Sequence, residues 1–206
     1  MRSLVIAALF LALSATAGRA AGFDAAQKAE LDKLSQALNS IKTMKGAFVQ
    51  IDPNGSLENG KFWIEKPGRV RFAYASPSDT LIVSNGVTVA VKNTKLDTVD
   101  RYPLVSTPLD LVLSNKLDLA NNPNIIAVNR EGSSLIVKAR STDKKVSGTV
   151  TLVFSDPGYE LRQWTVLDPQ GLKTTIALQN VEIAVQLKPS LFVLEERNRF
   201  TKGQSD

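Results

Sequence analysis

The amino-acid sequence predicts a mainly β fold with some α: an unclosed antiparallel β-barrel, or half-barrel, with one helix ahead of the sheet and a short helix midway along it. Three observations predict it. Short segments of alternating side chains follow one another from Met44 onward. Turn residues divide them, at Asp52-Pro53-Asn54-Gly55, Lys66-Pro67-Gly68, Asn85-Gly86, Glu131-Gly132, Asp156-Pro157-Gly158 and Asp168-Pro169-Gln170-Gly171, and turns this short join antiparallel neighbours. Leu31, Leu34, Leu38 and Ile41 recur at helical spacing behind Asp24, and Thr107-Pro108-Leu109-Asp110 opens a second, shorter helical pattern.

The first twenty residues stand outside that fold. Arg2, an apolar run over 4–13 and a small-residue stretch ending in Ala20-Ala21 follow the order of a secretory signal peptide, with cleavage after Ala17 or after Ala20. The apolar run is about ten residues, half of what a spanning helix needs. Residues 21–206 are then expected to form one exported domain, since no repeat, linker or second domain interrupts them. Loss of Arg2 and Arg19 lowers the formal charge from +5 to +3. Acids and bases are mixed along the strands, with no basic stripe of the kind that binds nucleic acid.

Asp24 can cap the first helix, expected over 24–43, through its side-chain oxygen, with Lys28, Glu30, Lys33 and Gln36 outward. Strands are expected over 44–51, 60–65, 69–75, 81–84, 87–92 and 97–103. Threonine as cap and proline at the first helical position predict a helix over 108–117, apolar on more than one side through Leu109, Val112, Leu113 and Leu117. Hairpin strands are expected over 125–130, 133–140, 147–155, 159–167 and 172–184. A short last strand is expected over 188–193, and a polar tail from Glu195 on.

Composition excludes several chemistries. The chain has no cysteine and no histidine. It therefore lacks a disulfide, a thiol nucleophile, a lipid-modified cysteine anchor, a Ser-His-Asp triad and any His-based metal site. Carboxylates such as Glu65, Asp79 and Asp97, or a Ser84–Lys92 pair, survive that filter, but no spacing argues that they meet. No catalytic residue, metal or cofactor is expected.

The segment 60–75 carries the most information. In a strand, Phe62, Ile64 and Lys66 share one face, opposite Trp63 and Glu65, and Val70, Phe72 and Tyr74 share a face opposite Arg69 and Arg71. Lys66 is then either the solvated end of a strand or a cation at the rim of an apolar cleft.

Several of these runs carry a family resemblance. Met44-Lys45-Gly46-Ala47-Phe48-Val49-Gln50, the stretch from Gly60 to Phe72, Ile82-Val83-Ser84-Asn85-Gly86, Thr107-Pro108-Leu109 and Pro189-Ser190-Leu191-Phe192 occur in the order of the periplasmic outer-membrane lipoprotein carrier family (LolA), which the chain resembles over nearly its whole mature length. The resemblance implies a half-barrel with the helices as a lid over an apolar cavity. It implies a monomeric periplasmic chaperone that takes triacylated lipoproteins from an inner-membrane ABC transporter to an outer-membrane acceptor. The cavity would be lined by Leu38, Phe48, Phe62, Ile64, Val70, Phe72, Tyr74, Ile82, Leu109 and Leu113. The family's lid-latching arginine falls on Lys66, where a lysine offers a point charge in place of a planar fork. Two other readings remain. One is a lipid-binding or lipoprotein-sensing protein of the same fold, although an acceptor would carry a lipidated cysteine and a sensor a second domain. The other is an exported enzyme.

Overall fold

The computed structural model describes residues 22–107, 110–140 and 148–195; the expected signal peptide, Leu109 and the tail beyond Glu195 lie outside them. Helix α1 runs Ala25–Ser40. Asp24 caps it in a capping box: the Gln27 N–H donates to Asp24 Oδ1 at 2.8 Å and the Asp24 N–H to Gln27 Oε1 at 3.1 Å. Leu31, Leu34 and Leu38 are buried. The helix stops earlier than its apolar spacing predicts, because Ile41 is extended and leads directly into the first strand.

Among the described residues eleven strands follow: β1 Thr43–Ile51, β2 Leu57–Glu65, β3 Arg69–Tyr74, β4 Thr80–Asn85, β5 Thr88–Asn93, β6 Thr98–Pro103, β7 Ile125–Glu131, β8 Ser134–Arg140, β9 Thr149–Ser155, β10 Leu161–Leu167 and β11 Lys173–Ile183. They form a single antiparallel sheet in the order β6-β5-β4-β3-β2-β1-β11-β10-β9-β8-β7. Each half is a meander. The halves join where β1 pairs with β11, and β6 and β7 are left as edges, so the sheet does not close. It does curl strongly: Phe72 on β3 and Trp164 on β10 have ring centroids 6.0 Å apart although three strands lie between them.

The aromatic interior depends on two glycines. In the β1–β2 register Gly46 faces Phe62 and Gly60 faces Phe48. A Cβ at Gly46 would lie 2.8 Å from the Phe62 ring, and one at Gly60 would lie 2.7 Å from the Phe48 ring. Each ring thus lies over the bare backbone of its cross-strand neighbour. Phe48, Phe62, Phe72, Tyr74 and Trp164 form one network of edge and stacked contacts.

Two expected elements differ. Helix α2 is a single turn, Asp110–Leu113, not a helix reaching 117. The Thr107 hydroxyl donates to the Leu104 carbonyl and closes a 3-10 turn over Leu104–Ser106. Beyond α2 the chain runs without regular structure to β7, with Leu117 and Leu119 buried in the common core. The expected last strand over 188–193 is instead a 3-10 turn, Pro189–Phe192. Proline supplies no ladder donor, and the Leu191 and Val193 N–H groups donate back to Lys188 and Ser190. This turn covers the outer face of β3 and β4, burying Phe192, while Arg71 Nη1 donates to the Leu191 carbonyl at 3.1 Å.

Candidate functional site

The β2–β3 turn, Lys66-Pro67-Gly68, meets both helices. Lys66 ends the apolar face of β2, one alternation beyond Ile64, and its ammonium Nζ donates to the Leu38 carbonyl at 2.8 Å. That carbonyl is in the last turn of α1, where no intrahelical donor remains for it. The Gly68 N–H donates to the Leu113 carbonyl, the last residue of α2, at 3.1 Å. Gly68 has φ +75, and a Cβ there would lie 2.7 Å from Gly86 Cα, so only glycine brings this turn close enough. One strand turn therefore holds the C-terminal carbonyls of two helices.

Lys66 is only 9% exposed. Burial pushes its pKa down to about 8, and the positive charge of Lys42 adds to the effect. Among the described residues no carboxylate pairs with it; the Leu38 carbonyl is its side-chain partner.

A second set of contacts ties α1 to the chain that follows α2. Asn39 forms a two-bond clamp on Leu117: Nδ2 donates to the Leu117 carbonyl and Oδ1 accepts from the Leu117 N–H, both at 2.9 Å. Ser35 Oγ donates to Leu31 and accepts from the Leu119 N–H. On the opposite flank, Glu30 pairs with Arg130 at 3.0 Å, and Arg130 also pairs with Asp156. The Tyr159 hydroxyl donates to Glu30, and hydrogen bonding from Lys33 holds the Glu30 carboxyl below the usual range. Glu30, expected to point outward, is instead half-buried and bridges the two sides.

The expected cavity residues occupy three positions. Phe48, Phe62, Val70, Phe72 and Leu113 are buried against one another, Tyr74 and Ile82 lie half-buried against that cluster, and Leu109 is outside the described residues. The Tyr74 hydroxyl donates to Gln50 at 2.6 Å, and burial, then Glu58 and Asp52, push its pKa up. Leu38, Ile64 and Lys66 line a cleft of about 500 Å³ at one mouth of the barrel, where the end of α1 faces the β9–β10 turn and β11. That volume is within the range of small-ligand sites. Sequence patterning missed Ser35, Asn39, Leu119 and Trp164, because each acts through a partner more than 70 residues away, or across the curl of the sheet.

Among the described residues there is no cluster of three or more potential metal ligands, and no helix is long and apolar enough to cross a membrane. What the arrangement can do is hold two helices, by a few breakable bonds, against an apolar interior.

Comparison with known proteins places this geometry. Residues 39–195 match the family described as "Outer membrane lipoprotein carrier protein LolA". The outer-membrane lipoprotein carrier protein of Coxiella burnetii (strain CbuK_Q154) is 25% identical over 181 residues, 83% of this chain and 85% of that protein. The corresponding protein of Methylococcus capsulatus is 27% identical over 169 residues, 78% and 80% of the two chains. A solved structure of an uncharacterized conserved protein from Thermus thermophilus has the same fold, with a TM-score of 0.51 at 8% identity, over 82% of this chain and 94% of that one. The family match begins in the last turn of α1 and runs through all eleven strands and the final 3-10 turn, taking in both donors of the β2–β3 turn; the chain belongs to the outer membrane lipoprotein carrier protein LolA family.

Proposed function

We propose that this protein is a periplasmic carrier that shelters the acyl chains of triacylated lipoproteins in the half-barrel and moves them from the inner to the outer membrane. It would receive them from an ABC transporter and pass them to an outer-membrane acceptor, making and breaking no covalent bond. The observation that carries this reading is the paired contact of the β2–β3 turn with Leu38 and Leu113, which ties the ends of both helices to the sheet beside the apolar cluster.

The magnitudes favour a lid that cargo can displace. A neutral hydrogen bond contributes about 1 kcal/mol net and one from an ammonium about 1.5–3 kcal/mol. Each methylene taken out of water contributes about 0.8 kcal/mol, so one long acyl chain outweighs the bonds at the turn. Phe48, Phe62, Phe72 and Leu113 fill the closed interior and would line it once α1 and α2 shift. The Lys66 bond to Leu38 is present only when the lid is down, and it drives the return to the closed form after cargo leaves.

The test is native mass spectrometry of the mature protein taken from the periplasm of its own cells. Adducts that resolve into acylated polypeptides support the carrier reading. Free phospholipid as the resident ligand moves the function to lipid transport or sensing on the same fold. A bare protein that also fails to keep a synthetic triacylated lipopeptide in solution overturns it.

A further inference from the structure

We infer that the cleft at the mouth of the barrel is a binding site for the carboxylate end of a single-chain amphiphile, a long-chain fatty acid, with the Lys66 ammonium as its counter-ion. This ligand class is separate from the lipoprotein cargo, whose acyl chains are held in ester and amide linkages and present no free carboxylate.

The inference rests on an imbalance of charge within a built cavity. Lys66 lines the cleft, is 9% exposed, and has three N–H donors, of which one is placed on Leu38. A buried charge is normally paired or its site reorganised, and Lys66 has no carboxylate partner among the described residues. The other charged groups around the cleft are occupied. Arg162 and Glu160 pair with each other at 2.6 Å, and Tyr159 donates to Glu30. Lys42, the neighbour that disfavours the ammonium, is exposed and donates to the Asn39 carbonyl. The walls next to Lys66 are apolar: Leu38, Met44 and Ile64 on one side, Leu161 and Val181 on the other. Ser40, Glu160, Arg162 and Asn180 add polar groups to the lining, so a cleft of about 500 Å³ sets an apolar strip beside one cation without a carboxylate partner, and this fits one alkyl chain with one negative charge. A monoanionic carboxylate balances a single ammonium, whereas a phosphate brings extra charge that must also lose its water. Two Nζ donors remain for the carboxylate while the bond to Leu38 stays in place.

The experiment is calorimetric titration of the mature protein at pH 7 with dodecanoate, dodecanol and dodecyl phosphate, each below its aggregation concentration. Dodecanoate is expected to bind at least about tenfold tighter than dodecanol, the scale of one charge-assisted hydrogen bond. Lys66→Met should bring the ratio of dodecanoate to dodecanol affinity to about one, whatever it does to both together, and Lys66→Arg should keep the preference. Equal affinities in the unmodified protein, a preference that survives Lys66→Met, or tighter binding of dodecyl phosphate overturns the inference. Should Lys66→Met not fold by circular dichroism, the head-group comparison in the unmodified protein and in Lys66→Arg decides alone. Retention of a triacylated lipopeptide in solution is scored separately, so failure of this site and failure of the carrier reading are told apart.

Discussion

Burial strips water from the Lys66 ammonium while the Leu38 carbonyl accepts a charge-assisted bond from it, so cost and gain offset each other within the fold. Lys66→Leu is therefore expected to leave the fold intact, with a Tm within about 4 °C of the parent. Its effect should fall on cargo. The bond to Leu38 favours the closed state alone, so its loss should slow release of a triacylated lipopeptide to acceptor vesicles by about 10-fold or more; release at the parental rate would leave Lys66 as a mere strand end. The pH dependence follows from the lowered pKa. Between about 8 and the ordinary lysine value of 10.5 the unfolded chain holds this proton more tightly than the folded one, so the contribution of Lys66 to stability rises with pH across that window. The Tm of Lys66→Leu minus that of the parent should be largest below pH 8 and shrink toward pH 10.5 in thermal scans. At Gly46 the expectation is steric: alanine would place a Cβ 2.7 Å from the Gln179 carbonyl and 2.8 Å from the Phe62 ring. Gly46→Ala should lose about 1–3 kcal/mol, read as a lowered denaturant midpoint.

The elements that the carrier reading asks to move are the ones least visible in local pattern. α1 is well announced by its cap and leucine spacing, yet what it binds is decided by Ser35 and Asn39, two polar residues on a helix otherwise read by its apolar face. Their partners, Leu117 and Leu119, were expected to end or follow a longer second helix. That segment contributes its backbone N–H and C=O groups to α1 instead of to its own helix, which explains why α2 stops after one turn. Asn39→Ala removes both bonds to Leu117 and should cost about 1–3 kcal/mol. Hydrogen exchange over 114–124 should accelerate more than exchange in β1 or β11, since only the lid contacts are lost. Equal acceleration throughout would mean that α1 and the sheet open as one unit. The last segment illustrates the same competition. Its alternation suits a strand, but Pro189 cannot pair, and Phe192 finds burial on the outer face of β3 and β4.

For the whole molecule, the curl of the sheet is what wraps its strands around one apolar interior. It brings β3 against β10 and places Trp164, 5% exposed, beside Phe72, while Trp63 lies on the outer face of β2. A Trp63→Phe variant therefore carries one reporter of the interior. Entry of a triacylated lipopeptide should change the emission of Trp164, and an unchanged spectrum at saturation would place the acyl chains outside the barrel. The same binding should speed hydrogen exchange in the last turn of α1 while β1 and β11 stay protected.

The amino-acid sequence by itself determined the strands of the sheet, though not the turn that replaces the expected last one, together with their antiparallel hairpin pairing, α1 with its cap, and the face shared by Phe62, Ile64 and Lys66. These are local facts: period-two and helical spacing, turn chemistry and capping act within a few residues of each other. Only the tertiary structure decided that β1 pairs with β11, that the half-barrel interior is filled by its own side chains, and that the cleft lies at its mouth beside Lys66. Each of those depends on contacts between residues far apart in the chain, set by the twist and curl of the sheet and by which helix carbonyls are left without donors.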